Sequence, residues 1–216
     1  MDNISYSRYS QNPFMSRIKK SDEHSPSPGF PKLKIGDIIL VHTEHDISRA
    51  LLRDVTESFW DHSALIIFPE KEYFKTNLFI ENVATGTSIH RLNKYLDDKE
   101  HYAVGIKRFT WLTDEIRERV QAFALLNIDA PYYPWSGFKF FLAKIFPFYR
   151  DYLLKHQRYS CTQLVQTSFY EAVEWRDKDR VTFKENPASP FELLELTNPG
   201  EIAKSEKCEW IYNKHL

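Results

Sequence analysis

The chain has 216 residues, of which 42% are hydrophobic and 15% aromatic, enough to bury a sizeable core in one domain with decorations. A formal net charge of -1 and a pI near 6.7 leave no global basic footprint, which disfavours nucleic acid as a partner. The two cysteines, Cys161 and Cys208, are too few for a disulfide framework and point to a reducing compartment.

Residues 1–31 are polar and serine-rich, and Pro13, Pro26, Pro28, Gly29 and Pro31 break any periodic pattern, so they read as a disordered N-terminal arm ahead of a domain over 32–216. Met1 to Lys20 lacks the apolar core of a secretory signal, and nowhere is an uncharged apolar run long enough to span a bilayer. A cytoplasmic product is expected, with leaderless export left open. Order is expected from Ile35: Gly36-Asp37 turns the chain, and Ile38 to Val41 is an apolar run suited to a strand buried on both faces. Asp46 is placed to cap a helix that buries Ile47, Leu51, Leu52, Val55 and Phe59.

His62 stands at the mouth of the next apolar strand, Ser63 to Phe68, where a rigid backbone can aim an imidazole into a cleft. Leu78 to Val83 reads as a third strand interrupted by Glu81, which faces water if the strand is an edge and meets a partner if it is not. Ala84 to Gly86 turns the chain, Ile89 to Tyr95 returns it, and Tyr102 to Phe109 reads as a further strand. Thr113, followed by Asp114 and Glu115, starts a helix with Ile116, Val120, Phe123 and Ala124 buried.

Residues 131–155 interleave ten aromatics with Lys139, Lys144, Arg150 and Lys155. The stretch suits a packed core loop, a lid, or a surface that meets lipid at a membrane periphery. Ser160 and Gln163 then form a capping-box pattern that starts a helix at Cys161, with Leu164, Val165, Ser168, Phe169 and Ala172 on one stripe. A cysteine in a first turn meets unpaired amides and the positive end of the helix dipole, which favour the nucleophilic thiolate. Glu171 to Asn186 reads as a surface excursion, Ser189 as the cap of a short helix, and Trp210 to Tyr212 as a last strand.

A cysteine nucleophile needs a base within reach and a group that orients the base. His62 is the first choice of base and His90 the second; Glu81 is the first choice of orienting group, with Asn82 and Asp61 behind it. His42-Thr43-Glu44-His45 lacks the i, i+4 histidines or supporting cysteines of a metal site, and no phosphate-cradling glycine loop is present, so neither metal nor organic cofactor is expected.

Four stretches carry a resemblance. Gly36 to Leu40, Trp60 to Ile67, Ile80 to Gly86 and Tyr159 to Val165, with a weaker echo at Ser189 to Leu193, resemble the opening strand, histidine strand, polar-residue strand and nucleophile helix of the YiiX/YebB-like, circularly permuted papain-like (NlpC-type) cysteine hydrolases. Histidine before cysteine is the permuted order. Asp61, where that family often has a small residue, and the long 131–155 stretch depart from the pattern. The resemblance implies an α+β fold, with a mostly antiparallel sheet packed against helices and the nucleophile at a helix N-terminus. It implies an acyl-cysteine hydrolase or acyltransferase acting on an amide, ester or thioester of a peptide, lipid or acylated substrate, through Cys161, His62 and Glu81. A catalytically silent binding module and a peripheral membrane protein are the rival readings, and nothing in the sequence sets an oligomeric state.

Overall fold

The computed structural model describes residues 30–44, 47–70, 74–130, 160–184 and 197–213. Among them six strands form one sheet: β1 (Ile38–Thr43), β2 (His62–Phe68), β3 (Leu78–Val83), β4 (Gly86–Arg91), β5 (Tyr102–Arg108) and β6 (Glu209–Asn213). Their spatial order is β4-β3-β2-β1-β5-β6, and every neighbouring pair is antiparallel. The described helices are α1 (Ile47–Thr56), α2 (Asn93–Leu96), α3 (Asp114–Leu126), α4 (Cys161–Ala172), α5 (Lys178–Val181) and α6 (Pro199–Lys204). This is the expected α+β architecture.

β1 is buried along its whole length because it sits between β2 and β5 with both faces covered. Ile38 and Leu40 join Leu65, Ile67 and Ile80 in a core closed by Val120 and Ala124 of α3 and by Leu164, Val165 and Phe169 of α4. Each such fully buried side chain contributes roughly 1.5–3 kcal/mol. On the other parity Ile39, Val41, Ile66 and Phe79 are equally inaccessible. The sharp entry into β1 uses Gly36 at φ 78, where a side chain would be strained, and the buried Asp37 carboxylate, which accepts two hydrogen bonds from Arg108 at 2.7 and 2.6 Å. Gly105 of β5 has a different role: a β-carbon there would lie 2.7 Å from the Trp210 ring and 2.8 Å from the Trp60 ring, so its bareness lets the two indoles close to 5.7 Å.

One connection matters most for the site. β4 is an edge strand, yet the next strand, β5, lies on the far side of β1, so the chain must cross the sheet. α2 lies in that crossover, with Tyr95 buried against Phe79 of β3 at 5.3 Å and Tyr102 of β5 at 5.0 Å.

Several local expectations are corrected. Phe59 is not on a buried face of α1: Glu57 adopts a left-handed conformation at φ 49, ending the helix, and Phe59 emerges 44% exposed, stacked on His42 at 4.0 Å. The expected cap Asp46, and the side chains of Ile47, Leu51, Leu52 and Val55, lie outside the described residues. In α3 the expected cap Thr113 accepts from the Ile116 amide, but Ile116 and Phe123 are only half-buried. Arg117 is buried instead, because its guanidinium donates to the carbonyls of Ile35 at 2.7 Å and Phe109 at 2.8 Å. The segment after α4 is not wholly a surface excursion: α5 delivers Val181 and Phe183 into the core, with Phe183 against Phe109 at 5.5 Å. α6 was not anticipated, although Asn198 and Glu201 make a capping box with Pro199 in the first turn. The readings for most of 1–31, for 131–155 and for the Ser189 helix fall outside the described residues.

Candidate active site

The position of Cys161 is set by the capping box. Ser160 accepts from the Gln163 amide at 3.2 Å, and Gln163 Oε1 accepts from the Ser160 amide at 2.5 Å. Leu164 donates to the Ser160 carbonyl at 3.1 Å. Among the described residues this leaves the Cys161 and Thr162 amides without a protein acceptor, directed out of the helix end. Cys161 itself is half-buried, while Leu164, Val165, Ser168, Phe169 and Ala172 are all buried as the spacing predicts.

His62 is the first residue of β2, paired across to Val41 and buried to 3% exposure. Its Nε2 lies 2.6 Å from Glu81 Oε2, and the imidazole also hydrogen-bonds the Cys161 side chain, which falls to Nδ1 because Nε2 is engaged. Glu81 lies in the middle of β3, an interior strand between β2 and β4, so the water-facing alternative does not apply. Tyr95 donates its hydroxyl to Glu81 Oε2 at 2.5 Å, and Lys94 donates to Oε1. Thus α2, the crossover helix, clamps the carboxylate that meets the imidazole.

The electrostatics follow from burial and neighbours. Burial opposes a charged His62, but the Cys161 thiolate, by charge and hydrogen bond, and then Glu81 outweigh it and push the imidazole up to about 9. Burial also opposes the Cys161 thiolate, and the His62 charge and hydrogen bond outweigh that, helped by Thr162 and the Ser63 amide, bringing the thiol down to about 7. Burial raises Glu81, yet His62 and Lys94 hold it well below the usual carboxylate range. Burial and the Glu81 charge drive Tyr95 far upward, so it stays a protonated donor. With the thiol brought down to about 7 and the imidazole pushed up to about 9, the environment favours an imidazolium beside a thiolate in the range between.

The other candidates are placed elsewhere. His90 sits on the opposite oxygen of Glu81, 3.5 Å from Oε1, with Ser88 Oγ at 2.9 Å, and burial followed by Lys94 lowers its pKa. Asn82 turns to Thr87, donating to its hydroxyl at 2.7 Å. Asp61 does not face the imidazole as an orienter. Its buried carboxylate accepts from the Thr43 amide at 2.7 Å and hydroxyl at 3.1 Å, from Arg49 at 2.9 Å and from Arg53 at 2.8 Å, which braces the residue just before His62. Lys94, Tyr95 and Arg49 were missed by sequence reasoning. Only the i, i+4 pair Arg49 and Arg53 left a signal, as two cations on one helix face with an acid nearby in sequence. His42 is bound to the Phe59 carbonyl at 2.6 Å and Glu44 at 3.0 Å. Among the described residues no group of three or more His, Cys, Asp or Glu side chains is disposed to hold a metal ion.

The family described as permuted papain-like amidase enzyme, YaeF/YiiX, C92 family, matches residues 32–212. Among solved structures, the chain is similar to the crystal structure of metalloprotein YiiX from Escherichia coli O157:H7. The TM-score is 0.57 and the identity 15%, covering 85% of this chain and 99% of that one. That likeness speaks to the fold alone. No curated protein matches.

Proposed function

Because the chain belongs to the C92 family of permuted papain-like amidase enzymes, we propose that it hydrolyses an amide through an acyl-cysteine on Cys161, with His62 as acid and base and Glu81 orienting the imidazole. The observation that carries this reading is the 2.6 Å hydrogen bond between the buried His62 and Glu81, with the half-buried Cys161 at the start of α4 held below its usual pKa by that imidazole. The thiolate adds to the amide carbonyl carbon, forming the C–S bond. The carbonyl oxygen takes up the charge, and the outward Cys161 amide at the helix start is the donor placed to meet it. His62 Nδ1 gives its proton to the departing amine as the C–N bond breaks. The neutral imidazole then takes a proton from water, the resulting hydroxide adds to the thioester, and C–S cleavage releases the carboxylic acid and restores the ion pair.

An ester or thioester can enter the same sequence, and an acceptor other than water turns it into acyl transfer. Peptide, lipid and acylated substrates all present the required carbonyl, and the family's description favours the amide. The test is activity-based labelling of the protein with peptide-like and acyl-chain electrophiles, alongside hydrolysis of matching amides. Label is expected on Cys161 alone, with reactivity rising through about pH 7 and hydrolysis abolished in Cys161→Ala. Full hydrolysis by Cys161→Ala, or a thiol that titrates near an ordinary value of about 8.5, refutes the reading.

A further inference from the structure

The two oxygens of Glu81 keep different company. Oε2 meets His62 Nε2 at 2.6 Å and accepts from the Tyr95 hydroxyl at 2.5 Å. Oε1 accepts from Lys94, and His90 Nε2 lies 3.5 Å from it. The two sides also differ in rigidity. Lys94 and His90 are both half-exposed, and a lysine carries its charge on a flexible stem. Tyr95 is buried, its ring stacked on Phe79 of β3 at 5.3 Å and set edge-on to Tyr102 of β5 at 5.0 Å. Its backbone is fixed as well: the Tyr95 amide donates to the Leu92 carbonyl at 3.1 Å, and the Leu92 amide donates to the Asn77 carbonyl, just ahead of β3, at 2.9 Å.

Two basic groups on Oε1 draw the carboxylate toward the edge strand β4, away from His62. A hydroxyl fixed by packing against two strands, and donating to Oε2, opposes that pull. Being neutral, it does so without setting a second positive charge beside the imidazolium, which would disfavour it. We infer that Tyr95 is a positioning residue of the reaction: its hydroxyl pins Oε2 of Glu81 against His62 Nε2 and so keeps the imidazole oriented for its work as acid and base. It acts through Glu81, not on the reacting atoms. This rests on the reading of Cys161 and His62 as the reacting pair.

Tyr95→Phe keeps the ring and removes only the hydroxyl. With Oε2 released toward Lys94 and His90, the imidazolium loses part of its support. The titration of His62, followed by NMR of its ring, is expected to move down from about 9 by up to about one unit. On a fluorogenic aminocoumarin amide, kcat should fall about tenfold with KM within about twofold. In a Glu81→Gln background the same substitution should cost nothing further, because the group it acts through is gone. Lys94→Met is the counterpart: it removes the pull on Oε1, so His62 should titrate at or above its wild-type value. A His62 titration unmoved or raised in Tyr95→Phe overturns the inference, even where the unfolding midpoint falls, since Tyr95 then supports packing alone. So does an equal loss in the Glu81→Gln background, or a titration lowered by Lys94→Met as much as by Tyr95→Phe. Should Tyr95→Phe not fold, Lys94→Met decides: a lowered His62 titration overturns the proposal. A wild-type thiol that reacts sluggishly with iodoacetamide, with ordinary pH dependence, marks failure of the nucleophile reading itself.

Discussion

Replacing Glu81 by glutamine tests how far the carboxylate sets the charge state of the site. The two oxygens of Glu81 accept from His62 at 2.6 Å, from Tyr95 at 2.5 Å and from Lys94. A glutamine has one oxygen and one NH2, so one set of donors must face another donor whichever way the amide turns. The lost negative charge also removes the second support of the imidazolium, leaving Cys161 as the first. One such support corresponds to about one pKa unit, or about 1.4 kcal/mol. Loss of imidazolium on the alkaline side should move down from about 9 by about one unit, while thiolate formation near pH 7 should stay put, because His62 is still charged there in the variant.

The acid limb is read from iodoacetamide alkylation against pH and the alkaline limb from amide hydrolysis. Glu81→Asp, which keeps the charge, should shift the alkaline limb less. Stability should follow the matching sign: the carboxylate's depressed pKa stabilises the fold above its unfolded value of about 4.3 and loses that contribution as pH falls below it, so the gap between wild type and Glu81→Gln narrows on acidification. An unmoved alkaline limb in a variant that is merely less stable would show that Glu81 supports the sheet and leaves the imidazole alone.

Ser160→Ala should cost about 1 kcal/mol in denaturant unfolding by removing half of the capping box. A cycle with Gln163→Ala should show coupling, and strictly additive losses would mean that the reciprocal bonds at 2.5 and 3.2 Å act independently. Gly105→Ala should lower stability by about 1–3 kcal/mol, because the new β-carbon meets two indole rings at 2.7 and 2.8 Å, and tryptophan emission should change with it. An unchanged unfolding midpoint would mean that the rings shift without cost.

Much of the sheet and the helix that starts at Cys161 was legible because each is written in local pattern. Ile38 to Val41, Ser63 to Phe68 and Leu78 to Val83 are apolar runs bounded by turns, and Ser160 to Gln163 is a contiguous capping motif. Glu81 stood out as a carboxylate inside an apolar run, where burial demands a partner. What stayed hidden depends on contacts distant in sequence. Arg117 and Lys107 look like surface residues, and only the fold supplies the carbonyls of Ile35, Phe109, Ile202, Ala203 and Ser205 that let them be buried. Lys94 and Tyr95 carry no motif, and their role arises only because the crossover passes over Glu81. Phe59 was assigned to the core by helical spacing, which stops applying where Glu57 turns left-handed.

The three elements behind the line from sulfur to carboxylate are unevenly spaced along the chain. His62, Glu81, Lys94 and Tyr95 fall within one run of strands and crossover, whereas Cys161 arrives on a helix much later in the sequence. The thiol's acidity comes chiefly from His62, so it is acquired only when α4 docks on β2. With α4 undocked that support is absent, and the thiol returns toward the acidity of an ordinary cysteine. Completion of the domain is thus what makes this sulfur acidic.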